Sequence, residues 1–361
     1  MKSLLDKGLV TIKTDGVKVF TSRLLKYGVV KLKRLFRKKD QQNIAKWAGL
    51  KNKYKGERIF IIGNGPSINK MPFYLLENEY TFAFNRFNLM FERLNWVPDF
   101  YMVTDDLVIQ DMYEQINNEI LPVVPYAFFP DIHPSNVDFT KFINHADNVH
   151  WINADKPEFR DDLPNCGINK TVVNAAIQIA GYLGFTEIYL IGVDMTFADQ
   201  KVKKVNSRDW EADEHDPNHF DPRYFGKGLK YHNPTVHEMM EKFRLAKLFF
   251  DERGNKIFNA TEGGKLEEFP RVDFNSLFIL SNSEKQDLLN NSKILKDRGL
   301  TFNELLDVEL VSKSSDSYPE LFRTDLTLGL DLIPKLIVTY LPLGPFKEQY
   351  YFVKRQFISK R

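Results

Sequence analysis

The pattern of apolar and polar positions along the 361 residues divides the chain into a middle with clear elements and two less regular ends. Arg58 to Ile62 (RIFII) is a short apolar run halted by Gly-Asn-Gly-Pro, which predicts a buried strand entering a tight turn. Tyr80 to Asn85 (YTFAFN) and Phe100 to Thr104 (FYMVT) predict further strands that end in polar residues. Between Thr171 and Phe185, Val172, Val173, Ala176, Ile177, Ala180 and Leu183 mark one apolar helix face, and Glu187 to Val193 then predicts another buried strand. Lys256 to Asn259 is a last short strand, preceded by a helix whose start carries a capping box, Thr235 with Glu238. Helix followed by buried strand, repeated, predicts an α/β fold of Rossmann-like type. Its sheet is expected to be mostly parallel with helices on both faces, and helical N- and C-terminal extensions flank it.

Ligands of such sheets bind beyond the carboxyl ends of the strands. The polar residues there, Asn64, Asn85, Thr104, Asp105 and Asp194, are therefore candidates for one shared site. Residues 195 to 231 turn polar and irregular, which predicts a lid or binding loop. The expected organisation is an arm over residues 1–50, a catalytic domain over 51–280 with its lid at 195–231, and an extension over 281–361.

Charge changes this picture at the ends. The net charge of +2 hides an arm, residues 1–58, with 17 Lys and Arg against 4 Asp and Glu, a basic tail over 347–361, and an acidic body between them. Ser22 to Lys39 interleaves Leu24, Leu25, Val29, Leu32, Leu35 and Phe36 with basic residues at helical spacing. Either an interfacial helix on an anionic membrane surface or a solvated helix packed on its own domain accounts for this pattern. Nucleic acid is not the expected partner. The single cysteine, Cys166, excludes an intrachain disulfide framework and thiolate-rich zinc sites, which fits a reducing compartment. No apolar run reaches the roughly 20 residues that span a bilayer, and no signal-type h-region is present. A cytoplasmic protein, peripheral at the inner face of the cell membrane, is expected; the oligomeric state is left open.

The turn Gly63-Asn64-Gly65-Pro66-Ser67 offers backbone N–H groups from Asn64, Gly65 and Ser67, a nest suited to phosphate oxygens at a helix start, although a tight turn without ligand has the same pattern. It lacks the third glycine of the dinucleotide fingerprint and the lysine of a P-loop. His215 and His219 have i, i+4 spacing, but the prolines around them argue against the helix that would make it a metal motif, and no metal is expected. Arg223, Lys227 and Lys230 suit clamping of a diphosphate or a sugar carboxylate.

GNGPS after an apolar strand, Asn85 at the next strand end and LGFTEIYLIGVD at 183–194 resemble the bacterial sialyltransferases that use CMP-activated sugars. From Leu50 through DPNHFDPRYFGKG (216–228) to NATEGGKLEEFPRVDFNSLF (259–278) the chain more closely resembles a bacterial family of unknown function. That family is grouped with 6-hydroxymethylpterin pyrophosphokinase-like proteins and flagellin-modifying glycosyltransferases. The sialyltransferase resemblance implies that a nucleotide-sugar donor meets Asn64, Asn85 and Thr171; the expected activity is that of an inverting glycosyltransferase with no cofactor required, and the basic arms suit a cell-envelope or lipid-linked saccharide as acceptor. It implies His232 as general base, kept neutral by the helix start that follows; His237 is the rival. Thr196 stands where those enzymes have a tyrosine that assists the leaving phosphate, so Tyr224 or Tyr231 is the expected substitute. The competing resemblance, through Pro98 to Asp106, is to pyrophosphokinases that hold Mg-ATP at adjacent strand-end carboxylates, though Leu107-Val108 replace the Asp-Gly expected there. A nonenzymatic nucleotide-binding module is a third reading.

Overall fold

A computed structural model describes residues 16–37, 40–94, 96–154, 156–168, 170–205 and 209–278. The extension expected over 281–361 lies outside them. Among the described residues one sheet holds seven parallel strands in the order β10-β6-β1-β2-β3-β4-β5. These are β1 (Arg58–Ile62), β2 (Tyr80–Phe84), β3 (Phe100–Met102), β4 (Tyr126–Pro130), β5 (Val149–Ile152), β6 (Glu187–Ile191) and β10 (Lys256–Asn259). The sheet is Rossmann-like, and its strand order reverses between β1 and β6, the position where open α/β sheets bind ligands.

Burial on both faces explains the unbroken apolar runs. In β1, Ile59 and Ile61 point into one core while Phe60 and Ile62 point into the other. The first core is covered by α4 (Val172–Leu183), α5 (Val236–Asp251) and α2 (Gln41–Leu50), and the β3–β4 side of the opposite face by α3 (Asp106–Gln115). Thr171 caps α4, its hydroxyl oxygen accepting the Val173 N–H at 3.4 Å, and Gly184 (φ 96°) closes the helix in a left-handed turn.

Three expectations change. The arm expected over 1–50 divides: α1 (Val17–Arg37) lies on the surface, whereas α2 belongs to the body. Trp47 is fully buried there, and its indole N–H, like the Asn43 amide, donates to the Trp151 carbonyl at 2.9 Å. The irregular stretch 195–231 contains most of a three-stranded antiparallel sheet of β7 (Val202–Lys204), β8 (Asp209–Ala212) and β9 (Lys230–His232). Its strands are three or four residues long and mostly polar, too short for an alternating pattern to register. Finally, α5 starts where expected, but the Thr235 side chain makes no cap to the helix backbone, and Glu238 pairs with Lys170.

Candidate functional site

The strand-end residues gather on two sides of the carboxyl edge. On the first, at the switch point, the Gly63–Ser67 turn after β1 faces Gly192–Met195 after β6. Gly63 donates to the Ile191 carbonyl at 2.7 Å and Gly65 to the Gly192 carbonyl at 2.9 Å. A Cβ on Gly63 would stand 2.2 Å from the Gly192 carbonyl oxygen, and one on Gly65 1.6 Å from Asp194 Oδ2. Gly65 has ordinary extended backbone (φ −69°, ψ 158°), so close approach rather than conformational freedom requires glycine.

The expected phosphate nest is thereby corrected. Ser67 donates both its hydroxyl, at 3.0 Å, and a backbone hydrogen bond to Asp194, so the anion this turn holds is the protein's own carboxylate. Burial pushes the Asp194 carboxyl above its ordinary range despite those donors. The helix that follows is one short 3₁₀ turn, Pro66–Lys70, whose dipole is far weaker than that of a full helix.

Beside this packed turn, Asn64 and Asn85 meet the hydroxyl of Tyr224. The Asn64 amide donates to it at 3.0 Å, and the Asn85 side chain also reaches it. Tyr224 is 1% exposed and stacks on His219 with ring centroids 3.9 Å apart. The Oδ1 atoms of both asparagines are buried without a hydrogen-bond partner among the described residues, as is Nε of Arg86, whose guanidinium bonds Asp111 at 2.9 Å. Unpaired polar atoms of this kind are uncommon in protein interiors. Asn85 has φ 51°, and Lys170 (φ 63°) and Met195 (φ 51°), at the entry to α4 and the exit of β6, share this left-handed backbone. The segment bearing Tyr224 is pinned down. Phe220 N–H donates to the Asn64 carbonyl at 3.0 Å, and Arg93 pairs with Asp221 at 3.1 Å.

The second side lies at the end of β3. Asp105 caps α3, accepting N–H groups of Leu107 and Val108 at 2.8 and 3.1 Å, while buried Asp106 opens the helix. Thr104 is buried just before them. His232 reaches across from β9, with Nε2 3.0 Å from Asp106 Oδ1, Nδ1 2.8 Å from Asp209 Oδ1 and Nε2 3.7 Å from Asp105. Antiparallel register sets Asp209 directly opposite His232. Burial disfavours the imidazolium, but hydrogen bonds and charge from Asp106, Asp105 and Asp209 outweigh it, so the His232 pKa is raised. The expectation of a ring held neutral by a helix start is therefore corrected: three carboxylates around it favour the cation. Burial likewise raises Asp106, yet His232, Ser135 and His133 hold its carboxyl well below the usual range. His133 stands 3.8 Å from it.

Other expected residues stand apart. His237 is 86% exposed and faces Glu241, Tyr231 bonds Gln200 and stacks on Phe225, and Lys230 is exposed at the start of β9. Arg223, expected as a clamp, is held by Asp221 at 2.8 Å and Glu92 at 3.4 Å. Sequence reasoning passed over Arg86, Asp209 and His133. Arg86 follows Asn85 directly, and that adjacency to a strand end was the available signal; Asp209 had none, because its partner strand was not foreseen.

Asp105, Asp106 and His232 offer ligand atoms within 4.8 Å of one another, enough to hold a cation. Two carboxylates and an imidazole suit a borderline ion such as zinc better than magnesium, which prefers oxygen ligands and retained water. Two clefts, of about 470 Å³ by Lys156 and Arg160 and about 350 Å³ by Lys70 and Asp273, are lined by other residues than those of the two clusters. No described helix is long and apolar enough to cross a membrane.

Comparison with known proteins agrees with the grouping implied by the motifs. Residues 36–200 match the family described as 6-hydroxymethylpterin diphosphokinase MptE-like. No curated protein matches the chain. Among solved structures, the MAf glycosyltransferase from Magnetospirillum magneticum AMB-1 is similar at 16% identity with a TM-score of 0.38. The match covers 89% of this chain and 58% of that one, so the chain spans little more than half of that protein.

Proposed function

We propose that the chain is an inverting glycosyltransferase that uses a nucleotide-activated sugar, CMP-linked and sialic-acid-like, on a saccharide of the cell envelope. One observation carries this reading. At the switch point, Asn64, Asn85 and Arg86 present buried, unpaired polar atoms around a single tyrosine hydroxyl. Two amides and a guanidinium suit a nucleotide and the charged groups of its sugar. Tyr224 occupies this position now, so donor binding requires the 216–225 segment to lift, and its return would exclude water from the donor.

Transfer then needs one proton acceptor. The acceptor hydroxyl oxygen forms a bond to the anomeric carbon as the bond to the nucleotide phosphate breaks. The hydroxyl proton passes to His232 Nε2, with Asp106 giving way to the acceptor and Asp209 holding Nδ1. The nucleoside monophosphate departs with the bonding electrons, and direct displacement inverts the anomeric centre. No step needs a metal.

The Asp105, Asp106 and His232 cluster supports a second reading, metal-dependent pyrophosphoryl transfer from ATP, which also suits the description of the matched family. Thermal shift with CMP, UDP, GDP and ATP, each with and without magnesium or manganese, separates the two. Stabilisation by CMP that does not depend on metal is expected; stabilisation by ATP only with metal would replace the transferase reading with the second.

A further inference from the structure

Helix α1 turns its apolar stripe away from the protein. Leu24, Leu25, Val29, Leu32, Leu35 and Phe36 are each more than half exposed. At 3.6 residues per turn they fall within an arc of roughly 140°. The polar side of the same helix faces the body. Lys33 pairs with Asp138 at 3.2 Å, Arg34 donates to the His133 carbonyl at 3.0 Å, and Arg37 bonds Asp138 through both terminal nitrogens at 2.9 and 3.0 Å. An ordinary surface helix buries its apolar side. This one is tethered by cations, and none of the described residues covers its apolar side.

We infer that α1 is a docking helix for an anionic lipid bilayer, lying in the interface with its apolar stripe toward the acyl chains. Charge selects this occupant. The helix carries seven Lys and Arg and no acidic residue, so a second copy of the same face would meet strong like-charge repulsion. Exposed Lys31 sits at one border of the apolar arc and exposed Lys18 just inside the other, where their ammonium groups reach headgroup phosphates while the stripe is buried.

The tether also fixes what the bilayer would meet. The loop after β4 that holds α1 carries His133, 3.8 Å from Asp106, which in turn bonds His232 at 3.0 Å. Docking through α1 therefore sets the β3-end cluster beside the membrane surface. On the transferase reading, and only on it, this makes the acceptor a lipid-linked saccharide presented from that surface.

Sedimentation of the full chain with vesicles, without any nucleotide, tests the docking separately from the reaction. The wild type is expected to pellet with phosphatidylglycerol-containing vesicles, and to bind about tenfold more weakly to pure phosphatidylcholine or in high salt. The double variant Leu25→Glu, Phe36→Glu is expected to lose that binding by about tenfold or more while keeping its thermal midpoint, because both side chains are exposed. Three results would overturn the inference: no binding by the wild type, unchanged binding by the double variant, or a wild-type dimer that the double variant dissociates without vesicles. Vesicle binding with no nucleotide binding would leave the docking standing and remove the transferase reading.

Discussion

The two sides of the carboxyl edge contrast in what fills them. At the switch point, the motif most conspicuous in the sequence holds the protein's own groups: the Asp194 carboxylate occupies the Ser67 donors, and Tyr224 covers Asn64. At the end of β3, a less conspicuous segment gathers ionisable groups that remain partly open, with the Asp105 and His232 side chains 28% and 27% exposed. The contrast separates glycines required by packing from residues available for chemistry. It also separates two strand-end aspartates, one pushed up by burial and one held down by its neighbours.

The largest expected effect strikes the packed side. Gly63→Ala places a Cβ 2.2 Å from a backbone oxygen that cannot move without parting β1 from β6. A loss of about 3 kcal/mol or more in denaturant unfolding is expected. A loss under about 0.5 kcal/mol would show that the turn is a loose cradle rather than a packed joint.

The next effect strikes the open side. Asp106→Asn removes the anion between His232 and His133, and a destabilisation of about 2 kcal/mol at neutral pH is expected. The folded-state pKa of Asp106 is depressed, so its contribution is present above the unfolded value of about 4 and fades as pH falls through the folded one. The variant should therefore approach wild-type stability in acid. A difference that grows in acid would break the assignment.

The smallest effect belongs to Asp194→Asn. The folded-state pKa here is raised, so ionisation works against the fold, and wild-type stability falls as pH rises from about 4 through the folded value. The asparagine removes that slope at a neutral-pH change within about 1 kcal/mol, because the Ser67 donors keep an acceptor. Calorimetric midpoints between pH 4 and 7 give the comparison, and a large loss at neutral pH would mean that Asp194 is stabilising as an anion.

Much of this architecture was legible from pattern. Strands β1, β2, β3, β6 and β10 announce themselves because burial on both faces leaves an apolar run with a polar or glycine stop. The edge where Asn64, Asn85, Asp105 and Asp194 lie follows from parallel order alone. Strand β4 was hidden by Pro122, Pro125, Pro130 and Pro134, which punctuate its surroundings like a loop, and β5 by having four residues. The surroundings of His232 were illegible for another reason. They depend on β8 pairing with β9 and on β9 crossing to α3, contacts distant in sequence that leave no local periodicity. The charge state of the ring was misjudged accordingly, since the neighbouring helix start was visible and the three carboxylates were not.

The division of labour between the two sides is tested most directly by His232→Gln, whose amide can still donate to Asp106. Metal-free calorimetric titration with CMP and transfer from a CMP-sugar should be measured on the same preparation across pH. Wild-type transfer should rise with pH through a value above the ordinary histidine figure of about 6.5, because the carboxylates raise the pKa of the ring. The variant should bind CMP as the wild type does and lose about a hundredfold or more of transfer. Transfer at the wild-type rate, or loss of CMP binding together with it, would contradict a base at β9 acting on a donor held at the switch point.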